Sequence, residues 1–271
     1  MPELPEVETI RRGIASFLIG RHIIAVTLRE PRLRWPVPAD LARLTRGGTI
    51  TDVLRRGKYL LLALPPGWII IHLGMSGSLR VLARDTAPAR HDHLDLVLDN
   101  GLCLRLRDPR RFGAVLWVRG APFEHPLLAE LGPEPWDPAF NGDYLYAKSR
   151  GRRLAIKNFI MDAHVVAGLG NIYANEALHA SGIHPARAAG RIALARYASL
   201  ADQVRAVLSR AIDAGGTTLR DFVDSNGRPG YFAHDLQVYD RAGQRCPRCA
   251  TRLRGRRIGQ RSAFYCPRCQ R

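Results

Sequence analysis

The stretch CPRCATRLRGRRIGQRSAFYCPRC, residues 246–269, decides how the end of this chain folds. Cys246 and Cys249 make one Cys-x2-Cys pair and Cys266 and Cys269 a second, with sixteen residues between them. Each such turn places two sulfurs on one side of a metal, and a hairpin between the pairs brings the second two round. The spacing therefore predicts a four-thiolate zinc site on a small β ribbon. Two disulfides are the alternative, but the first twenty residues lack the basic start and apolar run of a secretory signal, which favours the metal. Four protein ligands leave no open coordination position, so the zinc predicted here is structural. The remaining cysteine, Cys103, lies in a strand pattern and reads as a small buried hydrophobe.

From Arg241 to Arg271 there are ten arginines and no Asp, Glu or Lys. Such a ribbon lies against phosphate and reads as a nucleic-acid finger; arginines that only offset the charge of the thiolates are the alternative. The whole chain agrees in sign: 271 residues carry a formal charge of +17, with a pI near 10.7. A soluble chain of that charge attracts polyanions, nucleic acid first, and a membrane surface fits less well because no strongly amphipathic basic helix stands out. No apolar run reaches the roughly 18 residues of a membrane span, so the cytosol is the expected location. Arginine supplies nearly all the charge, leaving Lys58, Lys148 and Lys157 as the only lysines. Arginine stays protonated in a protein whereas lysine can release a proton, which marks these three as candidates for proton transfer.

Upstream of the ribbon the hydrophobic pattern changes twice. Val7, Ile10, Ile14, Phe17 and Leu18 fall on one helical stripe, predicting an amphipathic helix over Val7–Leu18 that exposes Glu8, Arg11 and Arg12. Short β runs follow at Ile23–Leu28, Ile50–Leu54, Tyr59–Leu64, Trp68–Leu73, Leu94–Leu98, Leu102–Leu106 and Ala114–Val118. Asn100-Gly101 between two of them predicts a type I′ hairpin, and the close spacing predicts an antiparallel sandwich or barrel. Turn residues cluster at Gly132-Pro133-Glu134-Pro135, a boundary beyond which helices dominate, the clearest at Ile172–Ala180 and Leu194–Ala214. Asp224–Gly230, rich in Gly, Asn, Asp and Pro, reads as a loop.

At the other end, Pro2 follows Met1. Removal of Met1 leaves a secondary amine whose reference pKa, about 7.7 to 8.0 for an α-amino group, keeps part of it unprotonated near neutrality. Attack by that amine on a sugar C1′ gives an iminium ion, an electron sink for eliminations at neighbouring carbons. A stiff exposed chain start is the plainer alternative.

Together these residues resemble the bacterial formamidopyrimidine-DNA glycosylase family over the whole chain. The motifs are Pro2-Glu3-Leu4-Pro5-Glu6-Val7-Glu8-Thr9, Arg56-Gly57-Lys58-Tyr59-Leu60, His72-Leu73-Gly74-Met75-Ser76-Gly77, His91-Asp92-His93, Asp108-Pro109-Arg110-Arg111-Phe112-Gly113, Gly170-Asn171-Ile172-Tyr173 and the cysteine pairs. The resemblance implies an α+β multidomain protein: residues 1–132 an N-terminal catalytic β-sandwich with an N-terminal helix, 133–236 a helical helix-two-turn-helix domain with a lesion-capping loop over about 217–232, and 237–271 a C-terminal four-cysteine zinc finger, with DNA running between the lobes. It implies a monomeric base-excision-repair enzyme that removes 8-oxoguanine and formamidopyrimidines from duplex DNA, favouring cytosine opposite, and then cuts the abasic site by β,δ-elimination. One structural Zn(2+) and no diffusible cofactor go with that activity.

By the same resemblance Pro2 attacks C1′, Glu3 is its acid/base partner, Lys58, expected at a strand start after Gly57, serves the flanking phosphate and β-elimination, and Arg261 serves δ-elimination. A guanidinium is a poor acid near neutrality, so phosphate binding is the easier role for Arg261. Met75, Arg110 and Phe112 match residues that fill the space of an extruded nucleotide, and their Gly-bordered turns favour exposure over the core. His91, Arg152, Lys157 and Asn171 match DNA contacts, Asn171 at a helix start where it can instead be an ordinary cap. Two other readings stay open. An endonuclease VIII-like enzyme for oxidised pyrimidines typically begins Pro-Glu-Gly-Pro-Glu, so Leu4 argues against it. A non-catalytic, zinc-containing damaged-DNA-binding protein has no use for Pro2, Glu3 and Lys58.

Overall fold

Residues 2–217 and 232–271 are described by the structure, a computed structural model. The predicted loop at Asp224–Gly230, and all of the capping segment except its end residues Thr217 and Phe232, lie outside them. The chain forms two units, Met1–Ala129 with Ala214–Ala233, and Glu130–Asp213 with His234–Arg271.

In the first unit, helix α1 (Leu4–Leu18) begins earlier than its apolar stripe because Glu3 and Glu6 form a capping box. The Glu6 carboxylate accepts the Glu3 N–H at 2.8 Å, and Pro5 sits in the first turn, where a missing N–H breaks no helical bond. Val7, Ile10, Ile14 and Leu18 are buried, whereas Phe17 is 39% exposed. After β1 (Ile23–Leu28) and the short α2 (Leu41–Thr45), the chain runs through β2 (Asp52–Arg56), β3 (Tyr59–Leu64), β4 (Gly67–His72), β5 (Ser78–Ala83), β6 (Asp92–Leu98), β7 (Leu102–Arg107), β8 (Ala114–Arg119) and α3 (Pro126–Ala129). These strands make two four-stranded sheets, ordered β1-β6-β7-β5 and β2-β3-β4-β8. Leu60, Leu62 and Leu64 of β3, Ile69 and Ile71 of β4, Leu94, Leu96 and Leu98 of β6, and Leu104 and Leu106 of β7 join the α1 stripe in one core. The period-2 spacing of these residues is why the strands were legible, and the predicted sandwich is what forms.

Three details depart from the sequence reading. Strand β5 has no counterpart among the expected β runs: it is an edge strand whose run from Ser78 is broken by Arg80. The β6–β7 hairpin is not type I′, since Asp99-Asn100-Gly101 forms a three-residue loop in which only Gly101 has positive φ (80°); a Gly in that place closes a longer turn without strain. Lys58 does not begin β3. Arg56 pairs with Tyr59, so Gly57 (φ 56°) and Lys58 are the two central residues of a tight turn.

The second unit holds α4 (Gly142–Ser149), α5 (Ile156–Ile160), α6 (Asn171–Ala180), α7 (Leu194–Asp213) and a ribbon of β9 (Arg254–Ile258) and β10 (Arg261–Tyr265). Tyr197, Leu200, Ala201, Val204, Val207, Leu208, Ala211 and Ile212 form the buried stripe of α7, at the three-and-four spacing of a one-sided helix. α4 packs on it closely enough that a Cβ at Gly142 would lie 2.7 Å from the Ala198 backbone.

Glu8, expected on the solvated face of α1, is 8% exposed. Three guanidiniums converge on it: Arg11 at 2.8 Å, Arg12 at 2.9 Å and Arg55 of β2 at 3.1 Å. Burial alone would raise this carboxyl, but the hydrogen bonds from Arg11 and Arg12 and the charges of Arg11 and Arg55 hold it at about 2. Glu8→Gln should lower the unfolding free energy by about 2 to 3 kcal/mol at pH 7. Because the folded pKa is depressed from 4.5 to about 2, this contribution is complete above about pH 4.5 and is lost as pH falls towards 2. Urea titrations of both proteins at pH 7 and pH 3 should show the gap narrowing; a constant gap would mean that packing, and not charge, is lost.

Candidate functional site

Glu3 is 2% exposed and Pro2 beside it is buried, so neither is the solvated chain start that their sequence position alone allows. Glu3 holds extended backbone at the head of α1, as the cap of that helix. The second oxygen of Glu6 accepts the Thr217 N–H at 2.8 Å, which ties Thr217 to the first turn of α1. On the other side of the helix, Glu8 holds Arg55, and Arg55 donates to the Gly57 carbonyl at 3.0 Å. One ion-pair chain thus runs from α1 to the turn that presents the half-buried Lys58.

Behind that turn, Tyr59 pairs with His72 across β3 and β4, their rings 4.8 Å apart. Burial, with the charges of Lys58 and Arg34, holds His72 down at about 4, so its ring is neutral and its Nδ1 accepts the Gly74 N–H at 3.1 Å. His72 leads into Met75, which is half-buried. Phe112 is 45% exposed, and the exposed Arg110 guanidinium lies 4.7 Å from its ring centre. Neither belongs to the core, as their turn setting implied. His91 has positive φ (74°); partial loss of hydration and the charges of Arg90, His93, Arg107 and Arg111 lower its pKa.

The second unit carries the other basic candidates. Arg152 is exposed and donates to the Lys148 carbonyl at 3.0 Å. Lys157 in α5 is fully buried. Asn171 is the first residue of α6 and Gly170 its cap, so the ordinary-cap alternative does not hold; its buried Oδ1 has no hydrogen-bond partner among the described residues. Arg261 is exposed at the head of β10, directly after the Gly259-Gln260 turn of the ribbon. Gly259 has positive φ (59°), and a Cβ there would lie 2.7 Å from the Asn158 amide, so a larger residue in this turn would be strained and would displace the Asn158 side chain of α5.

Sequence reasoning missed the polar side of α6. Asn175 donates to the Asn171 carbonyl at 2.6 Å and accepts the Phe264 N–H of β10 at 2.8 Å. Glu176 accepts the N–H groups of Gln237, Val238 and Tyr239 between 2.8 and 3.0 Å; burial raises its pKa against the pull of those three bonds. His179 Nε2 lies 3.6 Å from Cys246 Sγ. The available signal was polar residues at Asn171, Asn175 and His179, spaced four apart and joined by Glu176 on a helix whose other residues are aliphatic or aromatic.

The sulfurs of Cys246, Cys249, Cys266 and Cys269 all lie within 4.8 Å of one another, with Cys249 and Cys266 at 3.5 Å and Cys246 and Cys269 at 3.9 Å. Tetrahedral Zn–S bonds of about 2.3 Å put sulfurs about 3.8 Å apart. Burial and the three neighbouring thiols push Cys269 up to about 12, a crowding that a divalent cation relieves by taking all four as thiolates. The donor set fits a structural metal, which the four cysteines would hold.

Three family descriptions match the chain: formamidopyrimidine-DNA glycosylase N-terminal domain over residues 1–115, formamidopyrimidine-DNA glycosylase H2TH domain over 131–223, and zinc finger found in FPG and IleRS over 243–271. The formamidopyrimidine-DNA glycosylase of Syntrophotalea carbinolica is 61% identical, and that of Methylococcus capsulatus 59%, each over 271 residues and the full length of both chains. Among solved structures, a Lactococcus lactis FPG mutant in complex with Fapy-dG-containing DNA superposes with a TM-score of 0.93 at 31% identity, covering all of both chains. The FPG protein of Thermus thermophilus gives 0.88 at 36% identity, covering 99% of this chain and 98% of that one.

Removing the metal with a chelator should loosen residues 243–271 and spare the sandwich. Hydrogen exchange should rise at β9, β10 and the two cysteine turns, while the β3 and β4 amides keep their protection. Equal loss of protection in β3 would contradict the assignment of the cysteines to a local, separately stabilised ribbon.

Proposed function

The chain belongs to the formamidopyrimidine-DNA glycosylase family, and we propose that Pro2, freed by loss of Met1, is the nucleophile with which it excises oxidised purines from duplex DNA. The enzyme is a bifunctional DNA glycosylase and abasic-site lyase of base-excision repair. The observation that carries the residue assignment is the Pro2-Glu3 pair, buried at the head of α1 with its backbone held by Glu6. An amine tethered there is oriented before the substrate arrives, which removes much of the entropic cost of attack.

In this reading the lone pair of the Pro2 nitrogen forms a bond to C1′ while the base leaves with the electrons of the glycosidic bond. Glu3 protonates the sugar ring oxygen as the ring opens, and the proton shed by the Pro2 nitrogen passes to the departing base, giving the iminium ion. That cation acidifies C2′. Loss of a C2′ proton and expulsion of the 3′ phosphate complete β-elimination, with Lys58 at the flanking phosphate and in the proton transfer. Arg261 binds and stabilises phosphate during δ-elimination, the role that suits a guanidinium. Met75, Arg110 and Phe112 fill the gap left by the extruded nucleotide, with Arg110 facing the orphaned cytosine. His91, Arg152 and Asn171 contact DNA, whereas Lys157, expected to join them, is fully buried in α5 and does not reach the surface.

One zinc ion, held by Cys246, Cys249, Cys266 and Cys269, stabilises the finger and takes no part in the chemistry; no diffusible cofactor is needed. The same reading keeps three domains, 1–132, 133–236 and 237–271, with the segment of about 217–232 capping the lesion, and places the enzyme as a monomer on cytoplasmic, nucleoid DNA. Its preferred substrate is 8-oxoguanine opposite cytosine. Among the described residues no helix is long and apolar enough to cross a membrane.

Borohydride should trap a covalent adduct on a duplex containing 8-oxoguanine opposite cytosine, and a form that retains Met1 should form less than about one hundredth of it, because its Pro2 nitrogen is an amide. Undiminished trapping by that form would remove Pro2 from the mechanism. In matched duplexes, excision of 8-oxoguanine should outpace that of an oxidised pyrimidine, and the reverse order would place the enzyme with the pyrimidine glycosylases.

A further inference from the structure

We propose that the Asp108–Ser76 pair is a positioning clamp that holds the loops carrying Met75, Arg110 and Phe112 as one preassembled wedge. The inference rests on reading those three side chains as the groups that fill the extruded nucleotide's space.

The topology puts the two loops side by side. Residues 73–77 join β4, in one sheet, to β5, in the other; residues 108–113 join β7 back to β8. Both cross the sandwich at the same end, because their flanking strands are paired: His72 with Ala114, and Ser78 with Arg107. Strand pairing therefore fixes the ends of both loops but not their middles, and the middles carry the three exposed or half-buried side chains.

Asp108 is fully buried between those middles. Its Oδ1 accepts the Ser76 hydroxyl at 2.7 Å and the Arg110 N–H at 3.3 Å, and its Oδ2 accepts the Gly113 N–H at 2.7 Å. Ser76 Oγ in turn accepts the Arg110 N–H at 3.2 Å. One carboxylate thereby grips the residue after Met75, the backbone of Arg110, and the residue after Phe112. The start of β6 and the residue before it are bound to the same residue: the Asp108 carbonyl accepts a hydrogen bond from His93 Nε2 at 2.8 Å, and the Asp108 N–H donates to the His91 carbonyl at 3.0 Å.

Close packing leaves little freedom to do this otherwise. A Cβ at Gly74 would lie 2.3 Å from the Phe112 carbonyl carbon, and one at Gly113 would lie 3.0 Å from Asp108 Oδ2. The backbones of the two loops thus touch where Met75 and Phe112 emerge. Side chains that must replace the stacking of an extruded base act together only if their spacing is set beforehand, since ordering them on DNA would subtract from binding. Asp108 and Ser76 touch no reacting atom in this scheme; they act through the wedge.

The test compares wild type with Ser76→Ala, Ser76→Thr and Asp108→Asn. Ser76→Ala removes one charge-assisted hydrogen bond and no volume of consequence, and should slow single-turnover excision of 8-oxoguanine opposite cytosine by about tenfold. It should reduce, in parallel, the fluorescence rise of 2-aminopurine placed opposite a stable abasic analogue, which reports the emptied stack. Cleavage of a single-stranded abasic oligonucleotide, which has no stack to fill, should stay within about twofold. Ser76→Thr restores the hydroxyl and should recover excision, and Asp108→Asn should show the same pattern more strongly. Wild-type excision and fluorescence in Ser76→Ala would overturn the clamp, as would a parallel loss of single-strand cleavage unrelieved by Ser76→Thr. If wild type leaves 8-oxoguanine in place while the fluorescence change still depends on Ser76, the substrate reading fails and the clamp stands.

Discussion

Everything at the N-terminal site depends on the burial of one face of α1. Val7, Ile10, Ile14 and Leu18 are each at most 1% exposed and share a core with strands of both sheets. At roughly 1.5 to 3 kcal/mol per fully buried aliphatic side chain, this stripe outweighs any single polar contact of the helix. Its consequence for chemistry is geometric. A chain end is ordinarily the least ordered part of a protein, but a helix anchored over four turns carries Pro2 and Glu3 as a rigid extension of the core. The carboxylates on the remaining faces then distribute that rigidity: Glu6 to the Glu3 and Thr217 backbones, and Glu8 through Arg55 to the Lys58 turn.

The second unit solves a similar problem with buried polar groups in place of an apolar stripe. A ribbon of this size has too small a core to stand alone: Val238, Leu253 and the cysteines make up most of it. It is joined to α6 by Asn175, Glu176 and His179, each of which satisfies a backbone or sulfur atom of the segment 237–271. Such bonds are modest as net stabilisation but costly to break once buried. They fix the angle at which β10, and with it Arg261, is carried relative to Asn171, the head of the same helix.

Legibility followed the range of the interaction. Period-2 and period-3.6 patterns located seven of the eight sandwich strands and the main helices, because those patterns record a face turned to a core and need no knowledge of the partner. Edge strand β5 escaped because Ser78 and Arg80 interrupt its short apolar run. The Asn100-Gly101 turn and the position of Lys58 were misread by one residue each, since a turn's type depends on register and register depends on the neighbouring strand. Glu8 was placed in solvent because its partner Arg55 lies 47 residues away. Asp108 and Ser76 stand inside family motifs that give them no role by themselves, as their bond spans 32 residues and two loops.

The amino-acid sequence alone determined the element types, the four cysteine ligands, the basic surface and the family, all of which rest on local spacing or on motifs read in order. Tertiary structure alone decided which charges are buried and with whom: Glu8 among three arginines, Glu176 under three backbone N–H groups, Asp108 between two crossing loops. The reason is energetic. A buried charge is tolerated only where its partners converge, and convergence is a property of the folded chain that no stretch of sequence contains.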